Sequence, residues 1–465
     1  MGWYLFGTMI PIAVGFVRTP VFTMHYTPED FGYLGLVTIT FSYLSVFIYS
    51  WLSGCLWRYY NAYKEKKELP ALYSNIALLF LAASFLLLII TLIWYFIADK
   101  EVVRRLILFS FMQFVLRELI GLVLIVVRLE GKTLRYNIIH SSRAVLSFAL
   151  LYTMAFSFHS DITSMITSTV IIDSAALLFL VFSGSEKIRI SLRVISRKGL
   201  NLLFRFGSLG LLSNFCFLII SSSDRYVIAM FGDISAVGIY NQVYNICQLS
   251  VVAFVTVYFN TINPKLNREL EINPETSDKL ISNYIYAFLL FGLPVVTYLS
   301  LFSEQLSVLL LGTDFRSGYV IMPWVFTSAF LYGLFLFIEI KFKFADKLRN
   351  LAIGVTVAAV INVALNIFLV PSYGYYAAGI TTLIAYLFLV IYFYFKDQAG
   401  FFSDSNRLID VLVFAVILAV QVVADLTVRK YYNLNLWQTI AEALLFFCIY
   451  LLILRNKIKR IVIPI

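Results

Sequence analysis

The 465 residues are 61% hydrophobic and only 13% charged, with a formal net charge of +10 and a mean hydropathy of +0.87. A soluble protein of this length carries roughly twice that charged share, which excludes a water-soluble globular enzyme. The basic excess does not indicate nucleic-acid binding either, because the Lys and Arg residues are spread over short loops rather than gathered on one soluble face.

Six segments each hold about 18 or more nearly uncharged apolar residues, enough helix to cross a bilayer core, and weaker segments lie between them. The clearest is 72–97, which contains no charge. In chain order the pattern predicts about fourteen helices, at 3–24, 32–57, 72–97, 103–127, 134–158, 162–183, 203–230, 236–262, 280–302, 319–340, 350–370, 374–395, 408–426 and 436–454. The first apolar run lacks a basic leader and contains Arg18, Pro11 and Pro20, so it reads as a first span and not as a cleaved signal. Pro294 also falls inside a span and is expected to bend it.

Lys and Arg then set the orientation. Of 36 basic residues, 26 fall in one set of alternating loops and the tail, six in the opposite loops and four inside spans. That bias puts both termini in the cytoplasm. The longest polar stretch, 184–205, lies on the basic side and reads as an amphipathic linker on anionic headgroups, with a partner-docking segment as the alternative. Cys55, Cys216, Cys247 and Cys448 all sit in apolar segments without paired spacing, as expected of buried thiols. No cofactor or metal motif is recognisable.

The linker divides the chain into comparable parts. With Gly32 and Gly238 taken as equivalent, Arg18 precedes the first by 14 residues and Arg225 precedes the second by 13. Arg58 follows by 26 and Lys265 by 27, and Leu72-Tyr73-Ser74-Asn75 matches Leu280-Ile281-Ser282-Asn283. An offset of six spans preserves direction, so the halves are expected to be parallel repeats with a substrate site between them. The expected division is an N-terminal bundle at 1–183, a linker at 184–205, a C-terminal bundle at 206–395 and two additional helices with a basic tail at 396–465.

Charges inside spans are costly and normally face a wet cavity or a partner. Arg18, Arg117, Arg143 and Arg225 are such residues, together with Glu118, Asp173, Asp224, Glu339, Asp425 and Glu442. Symmetry would set Arg18 and Arg225 on opposing walls of one cavity, each about 10 Å from the outer end of its helix. One reading is an anion-binding vestibule, since guanidinium groups match phosphate oxygens bidentately and so suit a diphosphate. The other is that the arginines snorkel or are neutralised by nearby acids. Arg117 and Glu118 are adjacent, about 100° apart on a helix, and are not expected to be each other's main partner. Asn137, His140 and Ser141 share one face, with Arg143 at its edge. Asp224 and Asp173 are candidates for charge balance or ion coupling.

Three motifs carry a resemblance to a known family. They are Tyr26-Thr27-Pro28-Glu29-Asp30-Phe31-Gly32-Tyr33; Asp224-Arg225-Tyr226-Val227-Ile228 followed by Val237-Gly238-Ile239-Tyr240-Asn241; and Ile361-Asn362-Val363-Ala364-Leu365-Asn366-Ile367-Phe368-Leu369-Val370-Pro371 with Tyr373-Gly374 and Ala378-Gly379. In this order they resemble the Wzx-type polysaccharide and O-antigen flippases, of the multidrug and oligosaccharidyl-lipid exporter superfamily that includes the MATE transporters. The likeness covers essentially the whole chain and departs at the amino end, where Gly2-Trp3 lacks the family's short basic lead-in.

The resemblance implies an all-α integral membrane transporter, with two parallel six-helix repeats in a V and two C-terminal helices. It implies flipping of an undecaprenyl-diphosphate-linked oligosaccharide across the bacterial cytoplasmic membrane, through a cationic lumen and by alternating access. Membrane lipids are implied partners, and a polysaccharide polymerase and glycosyltransferases are compatible ones. Two alternatives stay open. A MATE-type cation-coupled drug exporter usually has twelve spans and lumenal acids. A membrane glycan polymerase needs a large outer loop, whereas the longest here, 303–318, is short.

Overall fold

The computed structural model describes residues 2–183, 188–207, 211–272, 274–344, 347–396, 405–431 and 436–458. Among the described residues every regular element is helical. Packing separates the chain into two units, Met1–Asn241 and Gln242–Ile465.

In the first unit α1 (Gly2–Thr23), α2 (Pro28–Ile48), α3 (Ser50–Glu65), α4 (Leu69–Ile97), α5 (Glu101–Leu129), α6 (Thr133–Phe156) and α7 (Ser164–Phe182) follow in order. They are succeeded by a 3-10 turn at Leu192–Val194 and by α8 (Arg197–Gly207), α9 (Leu211–Ser222) and α10 (Asp224–Phe231). The long α11 (Ile234–Ile272) begins in the first unit and continues into the second. There it is followed by α12 (Pro274–Leu301), α13 (Ser303–Leu310), a 3-10 stretch at Thr313–Ile321, and α14 (Met322–Phe344). The last four are α15 (Leu348–Tyr373), α16 (Tyr375–Lys396), α17 (Ser405–Tyr431) and α18 (Leu436–Ile458).

Where its residues are described, each expected segment falls on helix, but the spans are not uniform. Among the described residues eleven helices are long and apolar enough to cross a membrane, and Met9–Thr23 and Trp437–Ile453 are shorter apolar helices. The expected span at 203–230 takes in α8, α9 and α10, with residues 208–210 outside the described residues and a break at Ser223. The polar run Ser221-Ser222-Ser223-Asp224 explains the last break, because such side chains compete for backbone hydrogen bonds. The expected span at 32–57 runs through α2 and α3 with one irregular residue, Tyr49 (φ −121°, ψ −31°), between them.

Local signals set several ends. Thr27 caps α2: its hydroxyl oxygen accepts from the Asp30 N–H at 3.2 Å, and the Asp30 carboxylate accepts from the Thr27 N–H at 3.0 Å. Gly374, at φ +61°, makes the turn between α15 and α16, a backbone conformation that costs glycine little.

The first unit's core includes Ile120, Leu124 and Val127 of α5 against Ile139 of α6 and Leu180 of α7. In the second unit Leu290 of α12 meets Phe414 and Leu418 of α17 and Tyr450 of α18. The Tyr450 hydroxyl donates to the Leu290 carbonyl at 2.9 Å. Cys55, Cys216 and Cys247 are buried free thiols. Cys448 is exposed, contrary to expectation, because it lies on a face of α18 that the rest of the chain leaves uncovered. Residues 184–187 of the linker, most of the loop 396–407 and the end of the basic tail lie outside the described residues.

Candidate functional site

The first unit contains all four intramembrane arginines and both candidate aspartates. Arg18, on α1, is partly buried and reaches α7, where its Nη2 donates to the Met165 carbonyl at 3.2 Å and lies 3.6 Å from the Met165 sulfur. Among the described residues it is the one span arginine with no carboxylate in ion-pair range.

The other three are neutralised. Arg143 of α6 donates from Nε to Asp173 Oδ1 of α7 at 2.8 Å, and the Asp173 side chain is only 2% exposed. Its second carboxylate oxygen has no hydrogen-bond partner among the described residues. Asn137 and Ser141, on the neighbouring face of α6, are buried toward α1, and Ser141 donates to the Gly7 carbonyl at 3.2 Å. His140 stacks on Tyr136 with ring centroids 5.7 Å apart.

Arg117 pairs with Glu118 at 3.3 Å, which corrects the expectation that these neighbours would not be each other's main partner. The helical turn separates their Cβ atoms by about 100°, but a long guanidinium side chain can fold back across that angle. Arg117 also lies 4.3 Å above the Phe114 ring, while Glu118 accepts from the Ser45 hydroxyl of α2 at 3.0 Å.

Arg225 is almost fully buried. Its Nη1 contacts Asp224 Oδ1 at 2.7 Å and also donates to the Ser221 carbonyl. The Tyr240 hydroxyl of α11 donates to the other Asp224 oxygen, and the Tyr240 ring faces the guanidinium at 4.9 Å. A buried ion pair of this kind needs such extra hydrogen bonds to offset its desolvation.

The two glycine motifs read from the sequence as equivalent are in contact. A Cβ placed on Gly238 would stand 1.8 Å from the Pro28 carbonyl oxygen, and one on Gly32 would stand 2.0 Å from the Ile234 carbonyl oxygen. The starts of α2 and α11 therefore cross backbone to backbone, which only glycine permits. Beside this crossing, Lys100 binds Glu29 at 3.2 Å and also donates to the Tyr33 hydroxyl. These bonds raise the Lys100 pKa above its ordinary value, the Tyr33 contact contributing most.

The sequence reading missed one polar cluster in the second unit. Asn362 and Asn366 of α15 and Thr381 and Thr382 of α16 are fully buried. Thr381 donates to Asn366 Oδ1 at 2.7 Å, and Asn366 Nδ2 donates to Asn362 Oδ1 at 3.2 Å. The signal was present as Asn362 and Asn366, four apart on one face of an apolar helix.

Residues 26–318, more than half of the chain, match the family described as "Polysaccharide biosynthesis protein". The chain belongs to this family. It is 22% identical over 204 residues to "Probable low-salt glycan biosynthesis flippase Agl15" of Haloferax volcanii. That match covers 44% of this chain and 43% of the relative's own length. The fold is similar to that of the lipid II flippase MurJ in an inward closed conformation. The two share a TM-score of 0.76 at 15% identity, over 98% of this chain and 100% of that one. It is also similar to a multidrug resistance MATE family transporter in its inward-facing conformation, with a TM-score of 0.61 at 16% identity, over 84% of this chain and 94% of that one. The protein is a multi-pass membrane protein with a MurJ- and MATE-like fold.

Proposed function

We propose that the protein flips an undecaprenyl-diphosphate-linked oligosaccharide from the inner to the outer leaflet of a cytoplasmic membrane, by alternating access, with both termini cytoplasmic. Family membership supports the glycan pathway, and the MurJ-like fold supports movement of a lipid-linked substrate. The observation that carries the chemistry is Arg18, an intramembrane guanidinium held by a backbone carbonyl and a thioether, with no carboxylate in ion-pair range among the described residues. A phosphate oxygen is a stronger acceptor than either group, so the side chain can turn to a diphosphate at little cost.

Arg143, Arg117 and Arg225 join this reading as cations held in reserve. Each is neutralised at rest by Asp173, Glu118 or Asp224. A cation taken up by Asp173 or Asp224 would loosen its arginine for the anionic substrate, which couples ion entry to substrate binding. The moving parts in this reading are the segments 1–183 and 206–395, joined by the linker 184–205 and followed by 396–465. The chain acts as a transporter and not as a polymerase.

The test is export in cells. Arg18→Ala is expected to abolish surface glycan and to accumulate lipid-linked oligosaccharide while the protein still reaches the membrane. Unchanged surface glycan would exclude Arg18. Drug sensitivity without a glycan defect would favour the MATE-type exporter.

A further inference from the structure

A cavity of about 280 Å³ lies in the first unit, where α3 and α5 end and α4 begins on the basic side of the membrane. Its accessible wall is entirely apolar, formed by residues such as Leu56 of α3, Ile76 and Phe80 of α4, and Leu122 and Val126 of α5. An apolar cavity of this size does not hold ordered water and takes an apolar guest. One side is closed by Ile188 and Ile190, from the segment that connects α7 to α8.

That segment is strapped to the start of α4. The Ser191 N–H donates to Ser74 Oγ at 2.8 Å, and the Ser196 N–H donates to Asn75 Oδ1 at 3.3 Å. Ser74 and Asn75 are each only 1% exposed. The chain is extended at Ser191 (φ −142°, ψ 127°), so neighbouring side chains alternate in direction. Ile188 and Ile190 line the cavity, while the intervening Arg189 is exposed, as is Arg193 in the following turn. Leu192 is 81% exposed, so the strap also presents an apolar side chain outward. Arg189 and Arg193 thus stand on the exposed side of the strap that closes the slot.

We propose that this slot binds one acyl chain of an anionic phospholipid of the basic-side leaflet, with Arg189 and Arg193 holding its phosphate. Bilayer tails are as apolar as the cavity, so chain burial alone gives no preference over bulk lipid. Selection therefore comes from the headgroup. Each basic residue near the surface is worth about a fivefold gain, and the pair about thirtyfold. The bound lipid would clamp the linker between the proposed halves to α4. It is a structural lipid, separate from the transported substrate at Arg18.

The test uses the full-length protein in phosphatidylcholine nanodiscs, titrated with a phosphatidylglycerol probe that carries a photoreactive diazirine midway along one acyl chain. The expected result is labelling of peptides spanning 73–81 and 119–126, with weak labelling by the matching phosphatidylcholine probe. Ala77→Phe, which fills the slot, is expected to remove this labelling. R189S with R193S is expected to raise the half-saturating probe fraction about thirtyfold. These two arginines are exposed, so this variant folds even if Ala77→Phe does not. Equal labelling by both probes, displacement of the label by undecaprenyl phosphate, or no effect of the arginine pair would each overturn the proposal.

Discussion

Arg18 on α1 and Arg225 on α10 occupy matching places in the sequence repeat but opposite environments. Arg225 is sealed between Asp224, the Ser221 carbonyl and Tyr240. Arg18 is partly open and, among the described residues, bonds to Met165. The difference shows that a matching position in the sequence does not fix the surroundings of a residue. The same residue type is neutralised at rest where an acid and a tyrosine surround it, and stands open where neither does.

The largest expected effect comes from breaking the sealed side. Asp224→Ala strands a buried guanidinium and should cost about 3–5 kcal/mol, seen as a large fall in thermal stability in detergent. Removing Arg225 in the same chain should recover part of that loss. If Asp224→Ala is tolerated as well as a surface change, the contrast between the two arginines is wrong.

A smaller effect is expected at the crossing that joins the Gly32 and Gly238 motifs. Gly238→Ala forces a Cβ onto the Pro28 carbonyl and should cost about 1–3 kcal/mol, measurable by the same melt. If this crossing opens during transport, slowed export beyond that explained by lower protein levels would accompany it.

Arg117→Ala removes an arginine whose side chain is 48% exposed. Stability should change by less than about 1 kcal/mol, which sets the scale for an exposed pair against the sealed one. The smallest effect concerns Lys100, whose folded-state pKa is raised by Tyr33 and Glu29. Its contribution is complete below the ordinary lysine pKa and is lost only as pH rises through the raised value. A pH series of melts for the wild type and Lys100→Ala should therefore converge only at strongly alkaline pH.

Helix positions were legible because the bilayer imposes length and hydropathy on every span, as at 72–97, which falls within Leu69–Ile97. The charged residues were legible for the same reason. Their pairing was not, because Arg143 and Asp173 are 30 residues apart and meet only through the rotation of α6 against α7. Arg117 and Glu118 were misjudged from helix angles alone, which ignore the reach of an arginine side chain. Gly32 and Gly238 were seen as equivalent. That they touch depends on how α2 and α11 cross, which a linear pattern does not encode.

The central claim is that Arg18 is the cation available to the diphosphate. The most direct measurement is transbilayer movement of an undecaprenyl-diphosphate-linked oligosaccharide in liposomes containing the wild-type protein, Arg18→Ala or Arg18→Lys. The account predicts at least a tenfold slower rate for Arg18→Ala, with partial recovery in Arg18→Lys and unchanged thermal stability in both. Wild-type flipping by Arg18→Ala would contradict it.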